Sequence, residues 1–322
     1  MTTHAMQAAV FAGPQRIEVQ SINLAEPGPH EVRVHLEGCG VCASNLPVWE
    51  GRPWFAYPLE PGAPGHEGWG YIDAVGEAVQ GLSCGDRVAL VSTHAYAEYD
   101  IAPADAVVAL PSSLDGKPFP GEPLGCAINI FQRSDIQRGQ WVAIVGIGFM
   151  GALLTALATQ AGAQVIAISR RPFALDMARQ FGAVATFPLT THNQVIEQVK
   201  ALIGETGCDC VIEAVGEQAT LNLASELTRV RGRLVIAGYH QDGPRQVNMQ
   251  LWNWRGLDVI NAHERDVEVA VAGIRVAVVL VASGRLDPSP LYTHRFGIEQ
   301  LPAALAAAHQ RPDTFLKALL TF

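Results

Sequence analysis

The sequence predicts an α/β protein of two domains, and three observations point there. Its 322 residues exceed what one ordinary domain holds, at about 100 to 200 residues each. Short β-branched runs broken by Gly and Pro fill the chain to about residue 120, whereas after Pro123 apolar strands alternate with amphipathic helices. A glycine-rich run, Gly146-Ile147-Gly148-Phe149-Met150-Gly151, falls between one such strand and one such helix.

In the first part, residues 17–19, 31–36, 71–75 and 87–91 alternate or carry β-branched side chains, the pattern of short strands in a small antiparallel β domain. The second part reads as strand 141–145, helix 150–160, strand 165–169 and helix 173–181, with later strands at 210–214 and 233–237. Such βαβ units build a parallel sheet covered on both faces, because each crossover helix must bury its apolar stripe. From about Pro288 the texture is mixed again, ending in a helix at 298–309 and a strand at 316–322.

Composition narrows the function. Hydrophobic residues make up 49% and charged residues 16%, enough apolar surface for well-packed cores. The formal charge of -9 comes without a basic block, so the counterion release that drives nucleic-acid binding is missing and nucleic acid is not an expected partner. The N-terminus lacks a cationic stretch followed by an apolar core, and the longest apolar run, 269–282, is broken by Arg275. That falls short of the roughly 20 apolar residues of a bilayer span, so no membrane partner and a cytoplasmic location are expected. Six cysteines are too sparse for a disulfide scaffold.

The glycine run carries the first chemical signal. Its first glycine permits a tight turn, its second lets backbone approach a pyrophosphate, and its third lets helix and strand pack closely, with Phe149 and Met150 opening the helix. Gly146, Gly148, Phe149, Met150 and Gly151 are therefore candidate dinucleotide-binding residues. At the end of the next strand, an acidic residue would hold a ribose 2′-hydroxyl, but here stand Ser169, Arg170 and Arg171. Two guanidinium groups suit a 2′-phosphate, which favours NADP(H) over NAD(H).

The second signal is Cys42, His66, Glu67 and Glu122 in the β-rich part: thiolate, imidazole and carboxylate are the donor set of a catalytic zinc with one exchangeable position. Gly65-His66-Glu67 is followed by Gly70, Gly76 and Val79 at the spacing of the zinc alcohol dehydrogenase signature. Gly40-Val41-Cys42-Ala43-Ser44-Asn45, Gly85-Asp86-Arg87-Val88, Glu122-Pro123-Leu124 and the closing Leu316-Lys317 match as well. On these motifs the chain resembles the zinc-dependent medium-chain dehydrogenase/reductase superfamily along its whole length.

The resemblance implies a GroES-like β-barrel catalytic domain over residues 1–123, completed by a return at 263–322, and a Rossmann NAD(P)-binding domain over 124–262. It implies Cys42 and His66 as zinc ligands, Glu122 as a third or fourth ligand, and Glu67 as a ligand or a neighbour that exchanges with water or substrate. Ordinary alcohol dehydrogenases carry cysteine at the Glu122 position, whereas Glu-Pro-Leu resembles the polyol and sugar dehydrogenases. Ser44 is implied as proton relay, and Lys317 joins the cofactor-binding set. Cys39, three residues before Cys42, is assigned to packing. Asn45 stands where the family usually has an aspartate that accepts a hydrogen bond from the ligand histidine, and its amide oxygen is expected to accept instead.

No cysteine occurs between Arg87 and Tyr99, where many relatives carry a structural zinc lobe, so one zinc per chain is expected. Cys84, Cys126, Cys208 and Cys210 lack metal spacing and are read as packing, with Cys126 near the nicotinamide by position. Trp49, Trp54 and Phe55 are candidate pocket walls. The implied activity is hydride transfer between NADP(H) and a secondary alcohol, polyol or sugar-type hydroxyl, or the matching carbonyl, in a homodimer or homotetramer. The alternatives are a zinc-free quinone or enone reductase of the same superfamily and a non-catalytic NADPH-binding protein.

Overall fold

A computed structural model describes residues 5–322 and divides the chain into two units, one running to Cys126 and resuming at Arg265–Phe322, the other being Ala127–Glu264. The first unit opens with β1 (Ala5–Gly13) and β2 (Arg16–Asn23) and continues through β3 (Glu31–Val41), α1 (Leu46–Glu50), β4 (Gly68–Val75), β5 (Arg87–Leu90), β6 (Tyr99–Pro103) and β7 (Val107–Ala109). Helix α2 (Gly121–Ser134) carries Glu122 in its first turn. The second unit contains β8 (Trp141–Val145), α3 (Phe149–Gln160), β9 (Gln164–Ser169), α4 (Pro172–Gln180), β10 (Ala185–Pro188) and α5 (His192–Ile203). It continues with β11 (Cys208–Glu213), α6 (Gln218–Leu227), β12 (Thr228–Ile236), α7 (Met249–Arg255) and β13 (Asp258–Asn261). The chain re-enters the first unit with α8 (Val267–Ala282), β14 (His294–Gly297), α9 (Leu301–Gln310) and β15 (Ala318–Thr321).

Strand β3 organises the first unit. Its early residues pair with β4 and β6, and its last four pair antiparallel with β15, within a sheet of order β14-β15-β3-β4-β5-β7. Val32, Val34 and Leu36 alternate into a core shared with Phe11, Leu90, Tyr96, Leu305 and Leu320. Truncating any of these large side chains to alanine costs about 2–5 kcal/mol in transfer and cavity energy.

The Gly-Asp-Arg-Val segment is explained by its hydrogen bonds. Asp86 accepts from the Ser83 amide at 2.8 Å. The buried Arg87 donates to Glu37 at 2.5 Å and to the carbonyls of Leu114 and Lys117, each at 2.7 Å. The guanidinium fork thus ties three stretches of chain together, each of its nitrogens donating to a protein oxygen.

The second unit is a six-stranded sheet of order β10-β9-β8-β11-β12-β13, parallel throughout. The order reverses between β8 and β11, and in open parallel sheets ligands bind at the carboxyl ends of strands beside such a reversal. Gly146, directly after β8, has φ +100°, and a Cβ at Gly151 would lie 2.0 Å from the Gly146 carbonyl oxygen. Turn and close packing therefore both require glycine. Helix α3 is buried nearly all round, consistent with its continuous apolar sequence.

Several elements carry no clear mark in the sequence. Strands β10 and β13 are four residues each at the two edges of the sheet, too short to show alternation. The expected helix at 298–309 instead begins as a 3-10 turn, Ile298–Gln300, and becomes α-helical at Leu301. Pro302, which lacks an N–H, fits only the first turn of the α-helix and so sets that start. Among the described residues no helix is long and apolar enough to cross a membrane.

Candidate functional site

In the first unit, strand β3 ends at Val41 and delivers Cys42, whose carbonyl accepts from the Asn45 amide at 3.1 Å in a tight 3-10 turn. His66 and Glu67 immediately precede β4, and the Gly40 amide donates to the Glu67 carbonyl at 3.1 Å, so the two segments lie side by side. A Cβ on Gly40 would fall 1.7 Å from a carboxylate oxygen of Glu67, which explains the glycine. The ligand atoms of Cys42, His66 and Glu67 all lie within 4.8 Å of one another, the one such group of three among the described residues. Cys39 is not part of it: this thiol is fully buried, bonds the Gly40 carbonyl and has its pKa pushed up by burial.

The electrostatics of the group fit a cation. Burial alone would lower the pKa of His66, yet its hydrogen bond to Cys42 and the negative charges of Cys42, Glu122 and Glu67 push it up to about 10. A proton on His66 is thus held in place by surplus anionic donors, the role a divalent metal fills better. Glu122 lies outside the 4.8 Å group but close enough to feel it: burial raises its pKa, the charges of His66 and Lys317 lower it, and Glu67 raises it.

Lys317, expected among the cofactor contacts, directs its ammonium to Glu67, at 2.6 Å from Oε1 and 2.5 Å from Oε2. Burial works against its charge, but Glu67 and Cys42 more than offset that, so its pKa is raised and the ammonium keeps its proton. Ser44 is half-buried in the turn two residues after Cys42.

Asn45 requires a correction. It was expected to accept from His66, but its Oδ1 receives the Tyr96 hydroxyl at 2.7 Å and its Nδ2 donates to the Pro64 carbonyl at 3.2 Å. The partner of His66 Nδ1 is that same Pro64 carbonyl, at 2.9 Å. A buried amide must satisfy a donor and an acceptor at once, and Tyr96 and Pro64 offer the complementary pair. Sequence reasoning missed both residues, since no local pattern ties Tyr96 to Asn45 across 51 positions.

Trp49, a candidate pocket wall, packs into the core beside His309, with ring centroids 5.7 Å apart. Trp54 is exposed and tilts against Phe55 at 6.0 Å. Cys208 and Cys210 are buried in β11 with thiols pushed up to about 12, mainly by burial, and Cys84 is exposed. Cys126 is half-buried in α2.

In the second unit, Gly148 caps the N-terminus of α3 without a side chain, and a Cβ there would meet nothing within 4 Å. Open space faces a helix N-terminus led by Phe149, Met150 and Gly151, the arrangement that receives a pyrophosphate. Ser169 ends β9 and accepts the Arg171 amide at 3.3 Å; Arg170 is exposed, and Arg171, half-buried, caps α4. No carboxylate occupies residues 169–173.

Comparison with known proteins agrees with both units. The family model described as alcohol dehydrogenase GroES-like domain matches residues 28–112, and that described as zinc-binding dehydrogenase matches residues 150–280. The sorbitol dehydrogenase of Gallus gallus is 28% identical over 333 residues, covering 90% of this chain and 88% of that one. The sorbitol dehydrogenase of Bacillus subtilis is 26% identical over 347 residues, covering 98% and 97%. A solved structure from Sinorhizobium meliloti 1021, bound to NADP, has a TM-score of 0.84 at 25% identity and covers 99% of this chain and 100% of that one.

Proposed function

The chain belongs to the zinc-type medium-chain dehydrogenase/reductase superfamily, and from that premise we propose that it is a zinc-dependent dehydrogenase of polyols or related secondary alcohols, working with NADP(H). The observation that carries this reading is the convergence of Cys42, His66 and Glu67, with Glu122 electrostatically joined to them. A divalent cation bound by these donors would take the place of the proton that His66 otherwise holds among them. A zinc-free quinone or enone reductase would leave these donors converging on nothing.

Cys42, His66 and Glu122 would hold the metal, which when bound supplies Lewis acidity toward an alcohol or carbonyl oxygen. Glu67, steadied by Lys317, stands beside them as the exchangeable carboxylate. Ser44 passes the hydroxyl proton outward from the reacting alcohol, and Arg170 and Arg171 take the 2′-phosphate of the cofactor at the end of β9. A nicotinamide dinucleotide, when bound, would exchange hydride with the alcohol carbon, and the N-terminus of α3 would hold its pyrophosphate. The sorbitol dehydrogenases among the relatives and the glutamate at position 122 favour a polyol or sugar-type hydroxyl over a simple primary alcohol. A homodimer or homotetramer is the assembly the family implies.

The test is a dehydrogenase screen of purified protein against polyols, sugars and simple alcohols with both nicotinamide cofactors, combined with elemental analysis. Turnover of a polyol with NADP and zinc present is the expected result. Turnover undiminished after complete removal of zinc would overturn the reading.

A further inference from the structure

The residues behind His66 form a chain of hydrogen bonds with a fixed direction. The Tyr96 phenol is fully buried, its ring lies against Phe11 with centroids 6.4 Å apart, and its backbone is held by bonds to Gly62 and Ala9. In so dry a surrounding the hydroxyl proton needs a protein acceptor. It goes to Asn45 Oδ1 at 2.7 Å. Asn45, itself 3% exposed, then has only its NH2 group to offer Pro64, whose carbonyl oxygen accepts at 3.2 Å. The second lone pair of that oxygen takes His66 Nδ1–H at 2.9 Å. The reverse orientation of the Asn45 amide would set oxygen against the Pro64 oxygen and leave the phenol proton without an acceptor.

We propose that Tyr96 is a positioning residue of the metal centre: its hydroxyl fixes the Asn45 amide so that a neutral carbonyl, Pro64, and no carboxylate, stands behind His66. Two consequences follow for the chain's own residues. Because Nδ1 carries the proton bonded to Pro64, Nε2 is the nitrogen left with a lone pair for a metal. Because the Pro64 oxygen is shared between Asn45 and His66 and carries no charge, it fixes the direction of the His66 ring without placing a further anion behind it. Tyr96 touches neither ligand side chain in this chain of bonds, and it acts through Asn45 alone.

The inference rests on the reading of Cys42 and His66 as zinc ligands, and the experiment keeps the two apart. Zinc affinity of the metal-free protein is measured by chelator competition for the parent, Tyr96→Phe, Asn45→Ala and the double variant, alongside the Co2+-substituted absorption spectrum and thermal unfolding. The Phe variant keeps the ring and its packing and loses only the hydroxyl. Each single variant should bind zinc about 10- to 100-fold more weakly, with a shifted cobalt ligand-field spectrum. The double variant should be no weaker than the Asn45→Ala single, since Tyr96 acts through Asn45. A Tyr96→Phe protein, or an Asn45→Ala protein should the former not fold, with parental affinity and an unchanged cobalt spectrum overturns the proposal. So does a double variant whose losses simply add. A parent protein that binds no zinc defeats the metal-site reading itself, a distinct outcome.

Discussion

Lys317 and Glu67 lie 250 positions apart in sequence, yet the ammonium of one sits 2.6 Å from the carboxylate of the other in a buried ion pair. The pair fastens the returning segment of the chain to the segment that carries His66, and it gives Glu67 a counter-charge whether or not a metal is nearby.

Removing the ammonium should therefore be more damaging than removing the pair. Lys317→Met leaves a carboxylate buried without compensation and should cost about 3–5 kcal/mol, whereas adding Glu67→Gln should recover much of that loss. Urea unfolding of the two single variants and the double variant measures the coupling. Equal destabilisation in the Lys317→Met and double variants would show that the pair is not coupled.

Metal content follows from the donor set. Purified protein should carry about one zinc per chain, and Cys42→Ser or His66→Ala should lose it while the second unit's fold persists. Elemental analysis reads this directly, and two zincs per chain would contradict it.

Cofactor choice is expected to follow Arg170 and Arg171. Replacing both with alanine should raise the KM for NADPH at least about tenfold and leave NADH nearly untouched, because only the 2′-phosphate is lost as a partner. Identical effects on both cofactors would refute the assignment.

Ser44→Ala should lower turnover by about 10²- to 10⁴-fold with zinc still bound, the usual cost of losing a proton-transfer group. Near-normal turnover at full zinc occupancy would make Ser44 merely part of the turn after Cys42.

Asp100 supplies a pH test away from the metal. Its Oδ2 is buried with no hydrogen-bond partner, the nearby Ser92 hydroxyl does not complete one, and burial raises its pKa. The folded state thus holds this proton more tightly than the unfolded chain. Its contribution favours folding below the unfolded value, about 3.9, and is lost as pH rises through the higher folded value. Asp100→Asn should accordingly stabilise the protein near neutral pH and make little difference near pH 3. Thermal unfolding across that range checks it, and a gain that persists in acid would rule out the charge as its cause.

What the sequence displayed and what it hid divide along contact range. Strand β8 ends at Val145 just before Gly146, and helix α3 follows, because backbone conformation and close packing there demand specific local residues. The convergence of Cys42, His66 and Glu67 was legible for the same reason: the short spacing within each segment records the turn that carries the side chain. The partners behind them were not. Tyr96 reaches Asn45, and Lys317 reaches Glu67, only after sheet register brings distant segments together. Trp49 looked like a pocket wall from its place in a loop between ligands, but the hydrophobic effect had already claimed it for the core.

Strand β15 occupies the place between β14 and β3, with Leu320 opposite Cys39 and Ala318 opposite Val41. During synthesis, the neighbour of the strand that presents Cys42 therefore emerges only after the whole parallel-sheet unit, together with Lys317. The parallel-sheet unit, finished by Glu264, has all its strands available some fifty residues of translation earlier. A nascent chain passes through a stage in which the strands of one unit are all present while the last four residues of β3 still lack their β15 partner. Cys42, His66 and Glu67 thus acquire their final surroundings only once β15 and Lys317 have been made.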